Sequence, residues 1–235
     1  MKKLAALSLL VCSQLFAQNP VVVDAPVDHI FVPSGFDNND NVEFVVTGSF
    51  KNPCMKKYGV DVKVVDDVIN IRVTAVQSDA EEKSMACAQM IVPFKEVVTV
   101  GTLQGGEYKV IVNEKTPYEL QEKITVSEAT SGNIDDYLYA MVSYIDVGFV
   151  GGTSGSARLV GWKTSDCVEV DRVEYLSNKK DTLSIMPIMK KVSDFCPMKM
   201  TPVSIPVNFK TSDFSYKNIL LFARTIEGKS VNELV

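Results

Sequence analysis

NVEFVVTGSFKNPC, residues 41–54, sets Val42, Phe44 and Val46 two apart against more polar neighbours, then reaches Gly48, Phe50 and Cys54. A period of two predicts a β-strand with one face on a core and one in water. The punctuation that follows it comes back later in the chain. In LVGWKTSDC, residues 159–167, Gly161 stands six residues before Cys167, as Gly48 does before Cys54. An aromatic follows each glycine, Phe50 in one case and Trp162 in the other. CAQMIVPF (87–94) and CPMKMTPV (196–203) each place a proline, Pro93 and Pro202, six residues after the cysteine. Tyr108 and Tyr216 follow those cysteines by 21 and 20 residues and open YKVIVN and YKNILLFA. Coincidences in the same order predict an internal repeat with a period of about 110 residues. The alternative is two unlike β-rich regions that share ordinary turn residues.

The neighbouring stretches carry the same two-residue period. YGVDVKVVDD (58–67) alternates Val62 and Val64 with Asp61 and Lys63, and VINIRVTAV (68–76) alternates Ile69, Ile71 and Val73 with Asn70 and Arg72. Asp66-Asp67 between them predicts a tight turn. Gly105-Gly106 is a turn before YKVIVN. The second half repeats the style in YLYAMVSYIDVGFV (137–150), SARLVGWK (156–163), VEVDRVEYLS (168–177) and DTLSIMPI (181–188), with NKKD (178–181) as a polar hairpin turn. MTPVSIPVNF (200–209) contains Pro202 and Pro206, which cannot donate ladder hydrogen bonds, so it is expected at a sheet edge or a bulge. No stretch reads as a long amphipathic helix. YELQEKI (118–124) is read as a helical turn or two, or as the approach to a linker, with Leu120, Ile124 and Val126 as the makings of a last strand.

The expected fold is therefore all-β: two tandem immunoglobulin-like or fibronectin-like β-sandwich domains, each with one internal disulfide. Residues 1–17 read as a secretory signal peptide, with Lys2 and Lys3 before an apolar core from Leu4 to Val11 and a cut after Ala17. Lipidation of Cys12 is the weaker alternative, because bulky Val11 precedes it. The domains are expected at 18–128 and 129–235, divided in the polar run EKTPYELQEKITVSEATSGNIDD (114–136).

Export makes the remaining cysteines a disulfide framework first. If each half closes its own pair, the bonds are Cys54–Cys87 and Cys167–Cys196. Closing loops of about 30 residues stabilises each half by about 3–4 kcal/mol on a chain-entropy estimate. A thiol nucleophile needs a base, and the one histidine, His29 in VDHIFVP, cannot be set beside a cysteine from sequence. GTSGSA (152–157) lacks both the nucleophile-elbow and the phosphate-loop spacing. The carboxylate pairs Asp66-Asp67, Glu81-Glu82 and Asp135-Asp136 read as turns and solvation. Met186, Met189, Met198 and Met200 read as core or edge packing before they read as a copper(I) site. No catalytic residue, cofactor or metal is expected.

With Lys2 and Lys3 removed, 22 basic residues face 29 acidic ones, a net −7 that argues against nucleic acid. No later stretch has the apolar length of a membrane span. Binding is expected to lie with aromatics and the glycine turn: Tyr137 and Tyr139 on one strand face, with Gly151, Gly152, Ser154 and Trp162. Trp162 is read first as the plug of the second sandwich. The functional expectation is a non-enzymatic periplasmic or secreted protein that binds an envelope or extracellular protein, or a glycan, through loops or edge strands. The alternatives are a structural spacer in an envelope assembly and an enzyme with a carboxylate-lined cleft.

Overall fold

The computed structural model describes residues 21–77, 87–133, 135–193, 195–197 and 199–235. Residues 1–17, expected to be a signal peptide, lie outside the described residues together with Cys12, as do Glu81, Glu82 and Met198. The first half runs β1 (Val21–Asp24), β2 (Val27–Phe31), β3 (Val42–Phe50), β4 (Met55–Val65), β5 (Val68–Gln77), β6 (Val92–Gly101), β7 (Gly106–Val112) and β8 (Leu120–Val126). The second runs β9 (Met141–Gly151), β10 (Ser154–Lys163), β11 (Val168–Ser177), β12 (Thr182–Lys191), β13 (Thr201–Phe209), β14 (Leu220–Thr225) and β15 (Lys229–Leu234). Among the described residues the only helical pieces are two 3₁₀ turns, Thr211–Asp213 and Ile226–Gly228. YELQEKI is mainly strand: Leu120–Val126 pairs antiparallel with β7 and buries Ile124 and Val126.

Both halves use the same wiring. β2-β3-β6 forms one sheet, and β9-β10-β13 forms its counterpart. Opposite them stand β4-β5-β7-β8, with β1 added on β5, and β11-β12-β14-β15. Even the parallel pairing of two strands recurs, β5 with β7 and β12 with β14. The turns act as their residues predict. Asp66 and Lys179 take positive φ in the β4–β5 and β11–β12 hairpins, and Gly152 does so between β9 and β10. β13, with its two prolines, is a sheet edge.

The repeated glycine has a repeated cause. Gly48 pairs with the residue after Pro93, and Gly161 pairs with the residue after Pro202. A Cβ on Gly48 would lie 2.1 Å from the Pro26 carbonyl, and one on Gly161 would lie 2.0 Å from the Met141 carbonyl. In each half the preceding edge segment comes this close beside an irregularity in register. Only glycine admits that approach. The tyrosine coincidence is different. Tyr108 lies inside β7, whereas Tyr216 precedes β14, and the register puts Ile219 in Tyr108's place.

Each pair of sheets closes over its own core. Phe44, Val46, Ile69, Ile71, Val98, Val110 and Ile124 fill the first, and Val142, Leu159, Ile185, Ile205 and Val207 fill the second. The two cores meet at β14. Leu220 and Phe222 join the first core, while Leu221 and Ala223 join the second. Alternation along one strand buried on both faces couples the halves, and each buried Leu or Phe contributes about 1.5–3 kcal/mol. The wet face expected for residues 42–46 is therefore absent: Val42 through Val46 are all buried. Polar contacts cross the same joint, from Glu43 to Ser230, from Lys95 to the Asn232 carbonyl and from His29 to Asp181. The halves stack sheet on sheet rather than hanging as separate beads.

One disulfide, Cys54–Cys87, is closed. The expected second one is not closed in this structure: Cys167 and Cys196 are free thiols, hydrogen-bonded to the Phe195 and Ser193 carbonyls respectively.

Candidate functional site

The residues expected to bind do not form one patch. Tyr139 is buried, meets Ile188 in an isolated bridge, and its hydroxyl accepts from Arg224 at 3.3 Å. Burial pushes that hydroxyl up to about 12. Tyr137 is exposed, with the Arg172 guanidinium 5.4 Å from its ring centre. The two tyrosines lie before β9 begins, so strand alternation does not place them on one face. Trp162 is 43% exposed and is not a core plug. Gly161 takes the place of Gly48, so Trp162 corresponds to Ser49, and the position of buried Phe50 goes to Lys163. One residue of displacement moves the aromatic to the other face. Ser154 and Trp162 fall near opposite ends of β10, about 25 Å apart at strand rise.

Gly151, Gly152 and Ser154 do share a feature. They form the β9–β10 turn, and Ser154 borders an open cleft of about 610 Å³ between Phe149, Tyr175, Phe209 and Phe214. β9 is the outer strand beside that cleft. It pairs only with β10 among the described strands. Near its start, Thr225 Oγ1 accepts from the Val142 amide at 2.9 Å. From Ser143 onward the strand is largely exposed, and Tyr144, Val147, Phe149 and Val150 face solvent, with Phe149 61% exposed.

The other edges are guarded. β13 carries Pro202 and Pro206; β4 carries Lys56, Lys57, Asp61 and Lys63; β11 carries Glu169, Asp171, Arg172 and Glu174. β8 has Glu122 and Lys123, β15 has Lys229 and Glu233, β6 has Pro93, Lys95 and Glu96, and β1 and β2 are four and five residues long. Charges, prolines and short length are the usual defences of an exposed strand edge. Across its eleven residues β9 has one charge, Asp146, and no proline.

The joint between halves holds a second constellation, which sequence reasoning missed. Arg224, inside the apolar run LLFART, is buried and lies 2.8 Å from Asp40 Oδ2. It also donates to the Gly35 carbonyl and lies over the Phe36 ring at 4.8 Å. Desolvation opposes its charge, but Asp40 and Tyr139 hold its pKa above the ordinary value. Nearby Asp135 is pushed up to about 6 by burial first, then by Asp40 and Asp37. Its neighbour Asp136 is driven the other way, held well below the usual carboxylate range by Thr130, Ser131 and Asn39. The space enclosed beside Arg224 is about 10 Å³, room for no more than one water. An arginine within an apolar strand was the available signal, but its carboxylate partners are distant in sequence.

His29 lies in β2 with Nε2 2.8 Å from Asp181 Oδ2. Burial alone would raise the Asp181 pKa, yet hydrogen bonds with His29, Asn178 and Thr182 bring it below the ordinary value. The ring is also near Phe31 and Tyr216, at 4.5 and 5.1 Å between centres. It borders a groove of about 830 Å³ between the halves, with Phe94, Lys95, Tyr216 and Glu233. Met186 and Met189 are buried, and Met200 is half exposed. Among the described residues no three His, Cys, Asp or Glu side chains converge as metal ligands, and no helix is long and apolar enough to cross a membrane.

Residues 44–124 match the family model of the ORF11 beta-sandwich domain, a span from β3 into β8 of the first half. No curated protein and no solved structure matches the chain.

Proposed function

We propose that this chain is an exported, non-enzymatic binding module that takes an extended segment of an envelope or extracellular protein along β9. The observation that carries the reading is the contrast between β9 and the guarded edges around it. An edge strand presents unpaired amides and carbonyls that an incoming strand satisfies, and pockets beside it select side chains. The cleft at Phe149 and Phe209 is such a pocket: apolar, open and at the end of the same strand. The leader at residues 1–17 supports export, and the net negative charge supports a protein partner over nucleic acid.

The test is capture of a partner from envelope extract by the mature chain. Val147→Lys with Val150→Lys places charges on β9 and is expected to reduce capture at least tenfold. Val65→Lys, on the already charged β4 edge, is expected to leave capture unchanged. Equal capture by all three chains, each with wild-type melting, overturns the reading. A structural spacer is the second reading, and the buried joint favours it because it fixes the relation of the two halves. A spacer engages neighbours at both halves, so β4 and β9 variants would both weaken assembly.

A further inference from the structure

The two cysteine pairs occupy equivalent places in the repeated wiring. Cys54 lies between β3 and β4 and Cys87 between β5 and β6; Cys167 lies between β10 and β11 and Cys196 between β12 and β13. Each pair brings together two chain crossings from one sheet to the other. The first pair is bonded and the second is not.

The corners of the second pair are already held together without sulfur. The Val192 amide donates to the Cys167 carbonyl at 2.8 Å, and the Lys199 amide donates to the Thr164 carbonyl at 3.3 Å. Thr201 Oγ1 donates to Asp166 Oδ1 at 2.8 Å. Bonding therefore needs little movement of the chain, and opening leaves the crossings in register. Both cysteines are partly exposed. Cys167 Sγ is 3.2 Å from the Phe195 carbonyl, and Cys196 Sγ is 3.0 Å from that of Ser193.

We propose that Cys167 and Cys196 form a thiol–disulfide exchange site that opens and closes under conditions that leave Cys54–Cys87 bonded. Cys167 is the attacking sulfur. Hydrogen bonds from Cys196 and Ser165 hold its pKa below that of an ordinary thiol, while the pKa of Cys196 is raised, and the thiolate is the reactive form. The oxidant is a low-molecular-weight disulfide. Cys167 thiolate attacks one of its sulfurs, forms a mixed disulfide and expels one thiolate. Cys196 then loses its proton to water and attacks Cys167 Sγ, closing the intramolecular bond and expelling the second thiolate. Two protein thiols and one disulfide become one protein disulfide and two small thiols. This site is independent of partner capture along β9.

The test uses the mature full chain equilibrated in buffers of graded oxidised-to-reduced glutathione ratio, then quenched with a maleimide and mapped by peptide mass. Two labels, on Cys167 and Cys196 alone, are expected at intermediate ratios. Four labels are expected only after denaturation with strong reductant. Cys196→Ser is expected to accumulate a glutathione adduct on Cys167, because no second thiol resolves it. Labelling of all four cysteines at one ratio, labels that persist on Cys167 and Cys196 at every oxidising ratio, or linkage of either to Cys54 or Cys87 overturns the proposal.

Discussion

Replacing Arg224 with methionine keeps a long apolar stem and removes the charge and every donor. The guanidinium serves Asp40 at 2.8 Å, the Gly35 carbonyl and the Tyr139 hydroxyl at 3.3 Å. Gly35 and Asp40 belong to the first half and Arg224 to the second, so the loss falls on the joint. Asp40 would keep the Asp37 amide at 2.9 Å but would lose its counter-charge while still buried. Removing one partner of a buried ion pair costs about 3–5 kcal/mol, because the other charge stays unsolvated. In a protein of this size each kcal/mol shifts Tm by about 2–4 °C, so Arg224→Met is expected to melt on the order of 10 °C lower. The assay is urea unfolding followed by fluorescence and circular dichroism, with a check that the slope is unchanged. Adding Asp40→Asn to the same chain removes the stranded charge and is expected to restore half of the loss or more. The pair then shows a coupling energy above about 1 kcal/mol. A loss below about 1 kcal/mol for the single variant, or strict additivity in the double, would refute the view that this pair anchors the joint.

Two further outcomes follow from the same geometry. Phe222→Ala, in the second half, removes a side chain from the first core and is expected to cost about 3–5 kcal/mol; hydrogen exchange should then show weakened protection at Phe44 and Val98, and a loss confined to β11–β15 would count against the shared core. Asp135 holds its proton up to about pH 6 in the native state, against 3.8 for an ordinary aspartate. Its contribution is thus complete below about pH 4 and is lost as pH rises through 6. The full shift corresponds to about 3 kcal/mol, and partial exposure to solvent reduces this to about 1 kcal/mol. Asp135→Asn should flatten stability between pH 4 and 6, and an unchanged slope in urea midpoints would remove the assignment.

The strands, their turns and the repeat were legible because each is a local property. Alternation in residues 68–76, the Asp66-Asp67 and NKKD turns and the prolines of β13 depend on neighbours a few positions away. Gly48 and Gly161 announced the repeat because a close backbone approach leaves a chemical trace in the residue itself. Trp162 misled because spacing was matched to within one residue, and on a strand one residue is the difference between core and water.

What the chain alone determined is a two-residue hydrophobic rhythm, its turns and a doubled arrangement of glycine, cysteine and proline, since backbone stereochemistry reads these from adjacent residues. What only the tertiary structure decided is which faces meet. β14 serves two cores, Arg224 finds Asp40, and β9 is left as the unguarded edge. Such facts depend on contacts between residues far apart in the sequence, 184 positions for Arg224 and Asp40, and nothing in the local pattern of either partner encodes the other.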